Sequence, residues 1–359
     1  MERIRADQII TPGGDRGPGA VVIDDGLITA IEDGARDHPQ SVGILCPGFV
    51  DVQVNGIGAI DVAKAEGDDW DVLDAHLLAQ GVTTWCPTLV SAPLARFDAP
   101  LERIASAAAR DDGTVRPAIA GAHLEGPFLG GAPGAHPVEY LQPPDLEWLA
   151  ALPDIVRLVT LAPECPGALD AIRVLCDRGV LVSLGHSTAT FEETAAAIDA
   201  GARLVTHCFN GMGPLHHRQP GLLGAALTDD RVAVSLITDL VHVHAAGIKL
   251  VFRAKTAGRV ALVTDAVAWQ GHGDAPRLPD GTLMGSTLTA DGAVRNAVQR
   301  CDVTLEEAVR AAATTPADLL RLDDRGRIEV GARADLVALT LDLHVAQTWV
   351  QGRAARFGS

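Results

Sequence analysis

Between residues 47 and 320, eight short apolar runs alternate with stretches of helical periodicity, and this alternation restricts the possible folds more than any other property of the chain. The runs cover 48–54, 83–89, 118–124, 156–161, 181–185, 204–208, 232–237 and 260–264, with amphipathic segments such as 167–178 and 191–200 between them. Near-continuous apolar strands need cover on both faces, and parallel neighbours need a crossover that a helix supplies. Eight such units predict an α/β fold, a (β/α)8 TIM-like barrel, whose usual size is ~250 residues. An open doubly wound sheet is the alternative, but it usually needs fewer units.

The two chain ends read differently. The segment Val21-Val-Ile-Asp-Asp-Gly-Leu-Ile-Thr-Ala-Ile places an Asp-Gly turn between two apolar runs, a hairpin signal. Near the other end, 327–330, 334–340 and 345–350 read as short strands. Residues 1–46 and 321–359 are therefore expected to pair into one small β-sandwich, with the barrel, 47–320, inserted between them.

In a barrel, catalytic groups sit at the C-terminal strand ends, and ionisable residues recur there. Glu125 follows the third run, His186 the fifth, and Asp265 the eighth, while His207 lies near the end of the sixth. A single histidine in such a place is more often a hydrogen-bonded structural residue than a ligand. One carboxylate and two imidazoles at three strand ends instead offer a divalent cation three ligands and leave a position for water. Zinc is the expected metal, and Asp265 can move a proton.

Composition excludes other classes. A net charge of −17, with only three lysines beside 26 arginines, argues against a nucleic-acid partner. The six cysteines are scattered without a C-x-x-C pair, which suits neither a disulfide framework nor a zinc-thiolate knuckle. No run approaches the ~20 apolar residues that would span a bilayer, and the first residues lead into no apolar leader. A cytoplasmic protein without a membrane partner is expected.

Several segments together resemble the N-acetylglucosamine-6-phosphate deacetylase family, a branch of the amidohydrolase superfamily. They are Pro47-Gly-Phe-Val-Asp-Val-Gln-Val-Asn-Gly, His123-Leu-Glu-Gly-Pro-Phe, Gly134-Ala-His136, Gly185-His-Ser, Thr206-His with Asn210, Arg218-Gln-Pro-Gly and Leu262-Val-Thr-Asp. The likeness continues to Ala334-Asp-Leu-Val, a superfamily-wide ending. It implies that Glu125, His186 and His207 bind the metal, that Asp265 is base and acid, and that His136 polarises the acetyl carbonyl. It further implies that Arg218 and His242 hold a sugar phosphate, one of them across a homodimer interface. Ala135, Asn210, Gly211, Leu283, Met284 and Gly285 would line the sugar pocket.

Many amidohydrolases carry His-x-His at the end of the first strand, where this chain has Gln53 and Asn55. Amides are poor ligands beside imidazole, so one tightly bound metal is expected. Two departures from the family pattern stand out: Gly211 where alanine is usual, and Leu240 where glycine is usual. Leucine resists φ > 0, so a changed loop is expected around Leu240. His216, His217, His244 and His272 receive no role. Rival readings are action on another acetylated amino-sugar phosphate, action on an acylated amino acid, and a non-catalytic scaffold.

Overall fold

The computed structural model describes residues 1–34, 41–256, 258–271 and 275–356, so His272 and parts of both expected terminal strands' surroundings lie outside the described residues. Eight parallel strands form the central sheet: β1 (Phe49–Val54), β2 (Val82–Val90), β3 (Ala122–Glu125), β4 (Val156–Leu161), β5 (Leu181–Leu184), β6 (Leu204–Val205), β7 (Ala233–Leu236) and β8 (Val260–Leu262). Neighbours pair in sequence order from β1 to β8. A parallel bridge between Val54 and Ala266 brings the last strand back to the first, nearly closing the barrel.

The apolar runs are strands because both faces are covered. Val50, Val52, Leu158, Leu204, Ala233 and Val263 pack together inside, while Val159, Val182, Val205 and Val234 join the core under the helices. The third run is broken: Ala118–Ile119 pairs with β2, and β3 begins only at Ala122. The break falls at Gly121, whose φ is +147° and where a Cβ would lie 2.1 Å from the Arg157 side chain.

The helices carry their own stop signals. Helix Phe191–Ala200 opens with Thr190 Oγ1 accepting from Glu193 N–H while the Glu193 carboxylate accepts from Thr190 N–H. Such a capping box contributes about 1 kcal/mol. The helix ends at Gly201, whose φ of +128° few other residues adopt.

A separate sheet joins the chain ends. Its order is Arg353–Ala354, Val345–Val350, Leu336–Leu339, Ser41–Pro47, Glu2–Thr11, Gly19–Asp24 and Leu27–Asp33. The antiparallel pairing of Leu336–Leu339 with Ser41–Pro47 is what ties one end to the other. Ile4, Ile9, Val21, Ile23, Leu45, Leu336 and Trp349 form its apolar core. The Asp-Gly hairpin is present, with Asp25 and Gly26 at φ +47° and +76°, as a two-residue turn of that hand requires.

Residues 327–330 correct the sequence expectation, because they form no strand. Ile328 is buried in the small-domain core as an isolated plug, and Ala332 N–H turns back onto Glu329 O instead of entering a ladder. Among the described residues no helix is long and apolar enough to cross a membrane.

Candidate active site

The C-terminal strand ends open into a cavity of about 580 Å³ whose lining includes Glu125, His136, His186, His207 and Asp265. Glu125 ends β3, while His186, His207 and Asp265 stand just beyond β5, β6 and β8. These last three have φ of +50°, +30° and +48°. Left-handed backbone costs a side-chain-bearing residue about 1–3 kcal/mol and persists where its surroundings over-determine it. Here Gly130 N–H donates to His186 O, Ser235 Oγ accepts from His207 N–H, and Ser286 N–H donates to Asp265 O.

Glu125 Oε1 lies 3.2 Å from His186 Nε2 and 3.0 Å from His207 Nε2, and the two nitrogens are 3.0 Å apart. Ligand atoms at about 2.0–2.1 Å from a tetrahedral zinc stand about 3.3 Å from one another, so this triangle fits one such ion. His136 competes for the same place. With Glu125 and His186 it makes a second set whose ligand atoms all lie within 4.8 Å, although its Nε2 is 3.8 Å from Glu125 Oε2.

Hydrogen bonds to the far side of each ring separate these two sets. His186 Nδ1 faces Ala132 O at 3.2 Å and His207 Nδ1 faces Asn210 O at 3.1 Å. A carbonyl only accepts, so each Nδ1 carries a proton, and with a metal bound each Nε2 would turn its lone pair to the centre of the site. A carbonyl behind the ring is the usual support of a metal-binding histidine. His136 is the reverse: its Nδ1 accepts from Ser91 N–H at 3.4 Å and lies 2.8 Å from Ser91 Oγ. Its proton therefore sits on Nε2, which makes it a donor toward the cavity. Burial, followed by the like charge of His186, pushes this imidazole down to about 3, so it is neutral.

Burial opposes charge on Glu125, but hydrogen bonds from His186 and His207 and the charge of neighbouring imidazoles hold its carboxyl well below the usual range. Asp265 goes the other way. Burial, and then the Glu125 charge, push it up to about 8. The amides of the first strand hold both carboxylates: Gln53 Nε2 donates to Glu125 Oε1 at 2.8 Å and to Asp265 Oδ1 at 3.2 Å. Asn55 Nδ2 donates to Asp265 Oδ1 at 2.8 Å. Gln53 Oε1 is occupied by the Thr206 hydroxyl at 2.8 Å. Gln53 thus spends its polar atoms on positioning neighbours.

The cavity also brings together Ala135, Asn210, Gly211, His242, Leu283, Met284 and Gly285. His242 Nδ1 is held 2.7 Å from Asp239 Oδ2, and Asp239 Oδ1 accepts from the backbone of Val241 and His242. Leu240 adopts φ +68° within this turn and packs against the main core. The loop therefore keeps a left-handed residue despite the leucine. Gly211 has φ +57°, and a Cβ there would come within 2.9 Å of His186 Nδ1. Arg218 lies apart on an exposed loop, with its guanidinium 2.9 Å from His217 Nε2, and does not line the cavity of the isolated chain.

Sequence reasoning passed over Asp61, Val90, Leu278 and Thr282, which also line the cavity, and Glu164 behind it. The Glu164 carboxylate accepts from Gly131 N–H, Thr188 N–H and Ser187 Oγ at 3.1, 2.7 and 2.6 Å. It thereby ties the loop bearing His136 to the one bearing His186. Glutamine has one acceptor oxygen for these three donors. Glu164→Gln is expected to lower kcat about 10- to 100-fold, the usual cost of losing such outer support, with KM little changed; steady-state kinetics with metal content checks it.

Residues 44–355 match the model of the amidohydrolase family. The chain is 41% identical to the N-acetylgalactosamine-6-phosphate deacetylase of Escherichia coli O157:H7, covering 99% of each. It is 37% identical to the N-acetylglucosamine-6-phosphate deacetylase of Vibrio furnissii, over 92% of this chain and 89% of that one. Among solved structures, a mutant N-acetyl-D-glucosamine-6-phosphate deacetylase from Mycobacterium smegmatis, in complex with N-acetyl-D-glucosamine-6-phosphate, superposes with a TM-score of 0.89. It has 33% identity and covers 98% of each chain.

Proposed function

The chain belongs to the amidohydrolase family, and from that premise we propose that it hydrolyses the acetamide of N-acetylglucosamine 6-phosphate to glucosamine 6-phosphate and acetate. The observation that carries this reading is the triangle of Glu125, His186 and His207 beside a proton-donating His136 and a buried Asp265. One divalent cation, zinc by its ligand set, would be held by that triangle, where it supplies Lewis acidity and lowers the pKa of water. Asp265 accepts the proton of the attacking water and returns it to the departing nitrogen. His136 Nε2–H donates to the carbonyl oxygen as negative charge grows there. Gln53 and Asn55 keep the Asp265 carboxylate facing the reaction, and their amides favour a one-metal site.

His242 faces the cavity with its other nitrogen held by Asp239, and it would receive the substrate phosphate. Arg218 would join it only across an interface between two copies of the chain, which is the basis for proposing a homodimer. A cytoplasmic location suits a sugar-phosphate substrate and free thiols. A second reading has a specific observation behind it, since the relative with 41% identity is named for the galactosamine epimer.

Deacetylation should be measured on both acetylated hexosamines, with and without 6-phosphate, alongside metal content. One equivalent of metal, loss of turnover on chelation and a strong phosphate requirement are expected. Turnover insensitive to phosphate would sink the sugar-phosphate reading, and a preference for the galactosamine substrate would select the second one.

A further inference from the structure

The opposite end of the barrel carries a second cavity, of about 230 Å³, lined by Arg157, Arg203, Arg259 and Arg321, with Asp318 as its one acidic member. Four chain segments deliver the arginines. Arg157 lies at the start of β4, Arg203 and Arg259 immediately precede β6 and β8, and Arg321 follows helix Thr315–Leu319. Two guanidiniums are tied to backbone: Arg157 donates to Leu320 O at 3.3 Å, and Arg203 donates to Ile198 O and Ala202 O at 2.8 and 2.7 Å. Asp318 is already engaged by Arg327. Arg259, half-buried, and Arg321 make no side-chain hydrogen bond or ion pair among the described residues.

This concentration of positive charge stands in a chain of net charge −17. Four like-charged side chains share this lining, and its only carboxylate is spent on a fifth arginine. A concave wall with one sign of charge focuses the field and concentrates counter-ions. Guanidinium forks suit bidentate contact with phosphate oxygens. The volume is below the ~300 Å³ where drug-sized pockets begin, a size that suits a phosphate group or a small phosphate ester. The strand starts also place it on the face opposite the catalytic cavity.

We propose that this arginine-lined cavity is a second, non-catalytic binding site for a small phosphate-bearing anion. Inorganic phosphate is the probe, and a His242→Ala background removes the phosphate position proposed in the catalytic cavity. In that background, phosphate should raise the melting temperature beyond chloride at equal ionic strength, in a saturable way. Adding Arg259→Ala with Arg321→Ala should weaken the apparent affinity at least about tenfold, the scale of one lost charge-assisted hydrogen bond. The same pair, in otherwise unaltered protein, should leave kcat within about twofold, a range set by their distance from the reacting groups. A phosphate response equal to that of chloride, or one untouched by the arginine pair, would overturn the proposal.

Discussion

Replacing Asp265 by asparagine is expected to lower kcat by about 10²- to 10⁴-fold, the usual contribution of a positioned acid–base group, while fold and metal content stay as they are. Asparagine has the same shape, and its oxygen can still accept from Gln53 and Asn55, which now donate at 3.2 and 2.8 Å. What it cannot do is take a proton from water. Asp265 stands outside the triangle of Glu125, His186 and His207, so metal analysis should still find a full equivalent. Near-normal turnover in the variant would end the assignment.

The same variant should change how metal-free protein responds to pH. Burial and the Glu125 charge raise Asp265 from 3.8 to about 8 in the fold. A group whose folded pKa is raised favours the fold below its unfolded value and loses that contribution as pH climbs through the folded one. Between about pH 4 and 8, metal-free Asp265→Asn should therefore gain stability over metal-free wild type. Denaturation midpoints across that range are the measurement.

The barrel was readable because its strands are covered on both faces, which writes each one as an unbroken apolar run. Val156–Leu161 and the helix Phe191–Ala200 fall at the bounds their patterns predict. Glu125, His186, His207 and Asp265 were findable because strand ends and residue chemistry are both local signals. Other features depend on what the fold brings near. At Gly121, where the third run breaks, Arg157 of the next strand and Ile155 just before that strand leave no room for a side chain, a constraint that only the fold reveals. Glu164 reads as a solvated acid after a proline, yet its three donors come from loops following two other strands. Residues 327–330 alternate like a strand, yet the contact with the edge strand Leu27–Asp33 is made by the residues that follow, through Gly331, Ala332 and an isolated bridge at Arg333. Leu240 shows the limit of a conformational rule: φ +68° is held by Asp239 accepting from the two residues that follow and by the leucine's own packing.

The family resemblance implies His207 rather than His136 as third ligand, and the physical ground for that choice, which ring nitrogen carries the proton, is one that only the fold supplies. His207 backs onto the carbonyl of Asn210 and His136 onto the N–H of Ser91, so their Nε2 atoms have opposite character at nearly the same place. His136→Gln should accordingly retain a full equivalent of metal and lose about 10²- to 10³-fold in kcat, the scale of one oxyanion donor, with KM little changed. His207→Gln should lose its metal together with its turnover, and added zinc should restore part of both. If metal instead disappears from the His136 variant and stays in the His207 variant, the second set, Glu125 with His136 and His186, is the binding one. His207 would then be the group beside the substrate carbonyl, because the four side chains leave room for only one cation at their centre.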